Sequence, residues 1–141
     1  MQYTYTAVVP ASWEEVVART KAALAAQGFG VLSEINIRNT FAAKLGEDAA
    51  EAVGDYVILG ACNPHLASRA LAAEPELGAL LPCNVVVRRR AGDPATTVQA
   101  IDPQTLVQLS DSDAVREVAD DAGTRLRAAL DELVQGSDAG S

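Results

Sequence analysis

The chain has 141 residues and a mass of 14.7 kDa, room for one domain of ordinary size. Apolar residues make up 49% and charged residues 21%, a globular composition that excludes a disordered chain. A net charge of −8 and 4% aromatic residues argue against nucleic-acid binding, and one His, two Cys and two Lys exclude most multi-residue catalytic and metal sites.

Residues 2–9 alternate, with Tyr3, Tyr5, Ala7 and Val9 on one face, which predicts a strand. Pro10 and Ala11 break it. Ser12 then caps a helix, with Glu15 completing a capping-box pattern. Trp13, Val16, Val17, Thr20 and Leu24 form that helix's stripe, and Gly28 ends it. Phe29, Val31, Ile35 and Ile37 predict a second strand, whose apolar face Ser33 interrupts. A short helix is expected from Asn39, its cap, to Gly46, and residues 47–54 read as a polar connection.

Tyr56 to Cys62 is continuously apolar, the pattern of a strand covered on both faces. Asn63-Pro64 starts a helix with the stripe Leu66, Ala67, Ala70 and Leu71, and Glu74-Pro75 ends it. Val85 to Val87 make a strand that runs into Arg88-Arg89-Arg90, and residues 96–101 return as its hairpin partner. Alternation sends Arg88 and Arg90 to one face and Arg89 to the other. The run therefore reads as a strand end in solvent rather than as an anion patch. Ser110 or Ser112 caps a long last helix. Its stripe is Val115, Val118, Ala119, Ala122, Leu126, Ala129, Leu130 and Leu133. Residues 1–135 are expected to form one domain and residues 136–141 a flexible tail.

The order β-α-β-(short α)-β-α-β-β-α predicts an α+β, two-layer sandwich. An open, mainly antiparallel sheet of about five strands packs on helices. The N-terminal residues lack the basic and apolar regions of a signal peptide, and no stretch is long and apolar enough to span a bilayer. A cytoplasmic protein with reduced cysteines is expected, with no membrane and no nucleic-acid partner.

A Cys-Asn pair occurs twice. It lies within Gly60-Ala61-Cys62-Asn63-Pro64 and again within Leu81-Pro82-Cys83-Asn84-Val85. Between them stands Glu74-Pro75-Glu76-Leu77-Gly78, and after them Ala100-Ile101-Asp102-Pro103. With the early stretch Gly28 to Ile35, these segments resemble the domain of unknown function 302 family of small bacterial proteins, from about residue 2 to 134. The resemblance implies a compact, TATA-binding-protein-like α+β fold, often dimeric. It implies no established activity and no role for the shared positions Gly60, Cys62, Asn63, Pro64, Pro82, Cys83 and Asn84.

The ligand-binding candidates are Cys62, Asn63, His65, Cys83 and Asn84. Cys62 closes a buried strand just before a helix N-terminus, whose partial positive charge and free N–H groups favour anions and thiolates. Asn84 is unusual at the start of a Val-rich strand, where a polar amide calls for a specific partner. His65 completes Cys-x-x-His, with Cys83 further on. His65, Cys62 and Cys83 could hold zinc or copper with a fourth ligand from elsewhere, and an early helical His could also serve as a haem ligand. Each residue also has an ordinary structural reading: buried small thiols, a helix cap and a solvent-facing His.

No nucleophile elbow, P-loop or dinucleotide fingerprint is present, and Glu14-Glu15 and Asp120-Asp121 read as solvated helix faces. The leading expectation is a non-enzymatic, homodimeric module that binds a small apolar or anionic ligand, a metal or haem near the two Cys-Asn segments. The alternatives are a thiol-redox enzyme or sensor using Cys62 and Cys83, and a purely structural or partner-binding domain.

Overall fold

Every strand of this protein pairs antiparallel. In the computed structural model, which describes residues 2–139, β1 (Thr4–Val9), β2 (Gly30–Asn36), β3 (Asp55–Cys62), β4 (Cys83–Arg89) and β5 (Thr96–Ile101) form one open sheet in the order β1-β5-β4-β3-β2. One face carries helices α1 (Trp13–Ala26) and α6 (Asp113–Ala139). The α+β, two-layer sandwich expected from the sequence is what forms. Residues 136–139, expected in a tail, continue the α6 backbone, while residues 140 and 141 lie outside the described residues.

Alternation explains the core. Ala7 and Val9, Val57, Leu59 and Ala61, Val85 and Val87, and Val98 and Ala100 all point at the helices and are buried. The α6 stripe meets them with Leu126, Ala129, Leu130 and Leu133, and α1 with Val16, Ala23 and Leu24. Each fully buried Leu or Val contributes about 1.5–3 kcal/mol relative to exposure. The polar groups drawn in are satisfied: the Trp13 indole N–H donates to the Val87 carbonyl at 2.9 Å, and buried Thr96 donates to the Ala11 carbonyl at 2.7 Å.

Four local expectations need correction. Asn36, not Asn39, caps the second helix, accepting from the Asn39 backbone N–H at 2.9 Å. Helix α2 (Ile37–Leu45) therefore follows β2 without a loop and takes Ile37 from it. Residues 47–53 are a short helix, α3 (Glu47–Val53), with Glu47 and Asp48 at its positive end and Ala50 buried. In β2 the register slips between Val31 and Ser33, a bulge that moves Ile35 off the core face and leaves it 48% exposed. In β3 only alternate positions pack on the helices. Tyr56 and Ile58, on the other face, are half-buried, so the continuous apolar run is not sandwiched between two layers.

Helix α4 (Pro64–Ala73), a 3-10 turn (Pro75–Leu80) and the short helix α5 (Gln104–Val107) build around the N-terminal half of α6. Ser112 caps α6, accepting from the Val115 N–H. Ser110 accepts from the Ser112 N–H and donates to the Glu74 carboxylate. Leu66, Ala70, Leu77, Val115, Val118 and Ala122 form a second hydrophobic cluster, separate from the main core. Leu81 touches both, and its peptide bond to Pro82 is cis. Among the described residues, no helix is long and apolar enough to cross a membrane.

Candidate functional site

The space between the two hydrophobic clusters is a cavity of about 60 Å³. Its walls come from the β3–α4 junction (Ala61, Cys62, Asn63), the start of β4 (Pro82, Cys83), α4 (Leu66, Ala67, Ala70) and α6 (Val115, Val118, Ala119, Ala122). Phe29, Leu77, Leu81, Pro103 and Leu106 complete the lining. Small side chains explain why it exists. Ala67 and Ala70 on α4, and Ala119 and Ala122 on α6, are too short to fill the gap between these helices and the sheet end. The lining residues are apolar apart from one amide and two cysteines, and the cavity is partly open to solvent.

Asn63 is buried because it does two things at once. Its side-chain oxygen caps α4, accepting the Leu66 N–H at 3.3 Å, and its side chain forms part of the cavity wall. Its amide nitrogen lies under Gly28, where an added Cβ would come within 3.0 Å of Nδ2. Gly28 also adopts φ +85°, a conformation that favours glycine. Gly60 is held for a different reason. A Cβ there would lie 2.2 Å from Ser33 Oγ and 2.8 Å from Pro82 Cγ, so β2 and the start of β4 close over bare backbone.

Cys62 and Cys83 are both free and both residues border the cavity, Cys62 half-buried and Cys83 buried, and alternation along β3 gives Cys62 the parity opposite to Ala61. The β3–β4 ladder sets Ala61 directly opposite Cys83, so Cys62 stands one residue beyond that pair. Burial pushes the Cys83 thiol up to about 11, and the negative charge that Cys62 would carry adds to the shift.

The other two candidates lie elsewhere. His65 is exposed on the first turn of α4, off the stripe that Leu66 and Ala70 bury, and it does not line the cavity. Among the described residues no cluster of three His, Cys, Asp or Glu side chains could hold a metal, so the His65, Cys62 and Cys83 ligand set does not assemble. Haem does not fit either: about 60 Å³ is far below the roughly 300–1,000 Å³ of pockets for drug-sized molecules. Asn84 is exposed on the sheet face away from the helices, because Cys83 and Val85 on either side of it point inward. Its amide is exposed rather than buried against a partner.

The arginine run divides as alternation requires. Arg88 donates to Gln99 Oε1 on the open face, whereas Arg89 donates to the Ala11 carbonyl on the helix side. A polar cluster that the sequence pattern did not reveal joins β1, the β5–α5 corner and α6. The Tyr5 hydroxyl donates to Asp102 Oδ1 at 3.0 Å and accepts from Arg127 Nη2 at 3.0 Å, with the guanidinium 4.6 Å from the ring centre. Partial burial, and then the bond to Asp102, raises the Tyr5 pKa. These three side chains hold the sheet edge to α6. The cavity-lining Leu77, Leu106, Ala119 and Ala122 were also missed as site residues. Ala119 and Ala122 were visible only as members of the α6 apolar stripe, which core residues share, and Leu77 and Leu106 lay on no predicted stripe.

The family model described as "Domain of unknown function DUF302" matches residues 5–133. The crystal structure of the uncharacterized conserved protein DUF302 from Bacillus stearothermophilus superposes with a TM-score of 0.80 at 32% identity, covering 94% of this chain and 99% of that one. No curated protein matches the chain. A family match over most of the length, joined to the same fold at this identity, shows that the chain belongs to the DUF302 family.

Proposed function

We propose that the protein is a non-catalytic binding module whose site is the apolar cavity between α4, α6 and the ends of β3 and β4. One observation carries the reading: residues from both Cys-Asn segments, far apart in sequence, line a single apolar cavity. The size suits an occupant of a few heavy atoms, since one water needs about 10–15 Å³ by this measure. No Lys, Arg, His or carboxylate is among the residues lining the cavity, which favours a small apolar ligand over an anionic one and leaves no acid–base pair for catalysis. The thiol-redox reading ranks behind. The raised pKa makes Cys83 a poor nucleophile and a poor leaving group. Two free thiols suit a reducing cytosol, where we place the protein. A homodimer across the open sheet face completes the proposal.

Xenon, a small apolar atom, tests the cavity. Titration of labelled protein under xenon pressure should give saturable amide shifts confined to residues such as Ala61, Leu66, Ala119 and Ala122. Ala122→Phe, which fills the space, should abolish them. Ala67→Leu, at a half-buried position, serves the same purpose should the larger change unfold the chain. Absent shifts, or shifts unchanged in the filled variant, would show the space to be a packing gap in a structural domain.

A further inference from the structure

We propose that the occupant of the cavity is a small uncharged molecule with one hydrogen-bond acceptor, a carbonyl compound in the simplest case, and that the Asn63 side-chain amide recognises the acceptor. The proposal rests on the reading of the cavity as a binding site. It narrows the occupant from any small apolar molecule to one with a single polar group.

Three observations lead there. The first is the state of the amide. Asn63 is 7% exposed, and its oxygen is engaged by the Leu66 N–H at 3.3 Å. Among the described residues no acceptor takes the hydrogens of Nδ2. No fully buried polar side-chain atom among those residues lacks a partner, so Nδ2 keeps accessible surface and an acceptor can reach it. A largely buried donor without an acceptor is unfavourable, and a ligand that supplies one removes the penalty. The second is the lining. Asn63 carries its one amide side chain, and apart from two cysteines the rest are apolar. Lys, Arg, His, Asp and Glu are absent from it, so a charged group would enter without a counter-ion, whereas a neutral carbonyl needs only the donor present. The third is Gly28. A Cβ there would come within 3.0 Å of Nδ2, and the φ of +85° favours glycine, so the amide is left uncovered on that side. Arg125 Nη1 lies 3.7 Å from the same point, and its positive charge favours an acceptor over a second donor.

Size sets the body of the ligand. A volume of about 60 Å³, against about 10–15 Å³ for one water, suits a few heavy atoms. The apolar part packs on residues such as Leu66, Ala119 and Ala122, whose contact supplies affinity, and the bond to Asn63 fixes orientation. The amide cannot turn over to offer its oxygen instead without uncapping α4, because Oδ1 is held by the Leu66 N–H. The site therefore selects acceptors: a molecule with only a donor in that place meets Nδ2 donor to donor.

The test titrates the labelled full-length protein with acetone and with isobutene, which has the same shape with a methylene group in place of the oxygen. Acetone should give saturable amide shifts at Ala61, Leu66 and Ala119 and should move the Asn63 side-chain amide protons downfield. Isobutene should shift the same backbone amides without that downfield move. Asn63→Asp keeps an oxygen for the Leu66 N–H, so α4 stays capped, but it removes the donor. It should weaken acetone binding by roughly tenfold or more and leave the xenon shifts in place. Asn63→Ser, which also caps, replaces it should the aspartate variant fail to fold. Equal acetone affinity in the variant and the wild type, Asn63 side-chain protons that stay still on binding, or acetone shifts that survive Ala122→Phe would each overturn the proposal. Xenon shifts without acetone binding would leave the cavity reading standing while this one falls; loss of the xenon shifts would remove both.

Discussion

Cys83 is 8% exposed and titrates near 11, whereas Cys62, one step along the neighbouring strand, is partly open to solvent. Only the thiolate reacts with alkylating agents, so burial and the raised pKa both protect Cys83. Iodoacetamide at neutral pH should therefore modify Cys62 well before Cys83, and both should react at similar rates in urea. Mass spectrometry of the quenched protein reads the order, and equal rates in the folded state would contradict the burial. The same shift has a sign in stability. Above the ordinary thiol value of 9.0 the unfolded chain gives up this proton and the folded chain keeps it. Cys83 is neutral to stability below that pH and costs on the order of 2 kcal/mol by pH 11. Cys62, Asn63 and Cys83 were legible in the sequence because a cap and two strand termini are local features. His65 and Asn84 lie outside the cavity for reasons of parity. Leu66 and Ala70 mark the buried stripe of α4, and His65 is off it; Val85 and Val87 mark the buried parity of β4, and Asn84 has the other.

Gly60 lies where three strands crowd together, with Ser33 of β2 on one side and Pro82, just before β4, on the other. A methyl group there would sit 2.2 Å from Ser33 Oγ and 2.8 Å from Pro82 Cγ, and the proline ring has little freedom to withdraw. Gly60→Ala should destabilise the fold by about 1–3 kcal/mol, the usual cost of overpacking, seen as a lower urea midpoint at unchanged slope. Ser33→Ala in the same chain should recover part of the loss, because one of the two clashes is with its hydroxyl. No recovery would place the strain at Pro82 alone. The elements themselves were largely readable. The α6 stripe, the α1 cap and the antiparallel hairpins follow from periodicity and capping chemistry. Helix α3 was not readable, because seven residues with one buried side chain carry too little pattern to separate a helix from a polar loop. The β2 bulge was not readable either. A single extra residue inverts the alternation after it, and nothing local in Val31-Leu32-Ser33 announces it.

Across the five strands one row of the open face reads Thr6, Gln99, Val86, Ile58 and Ile35. Its β1–β5 end is polar, with Gln99 bonded to Thr6 and to Arg88, while its β2–β4 end is apolar and partly solvent-exposed. This apolar patch is the surface on which the proposed second copy would dock. Light scattering of the wild-type protein at micromolar concentration should give twice the chain mass, and Ile35→Lys should give the single mass with an unchanged far-ultraviolet spectrum. A wild-type monomer would remove the dimer from the proposal and leave the cavity untouched.

That separation follows from the sheet. Val57, Leu59, Val85 and Val87 form a packed wall, 0–1% exposed, between the open face and the helices, and the cavity lies at the end of the sheet on the helix side. Substitutions in the apolar row of the open face lie across this wall from the cavity, so their effects on stability should largely add to those of cavity substitutions away from Pro82. The molecule is thus two independently variable surfaces on one scaffold. A lineage can alter what the cavity accommodates while its assembly stays fixed, or change its assembly while the occupant stays the same.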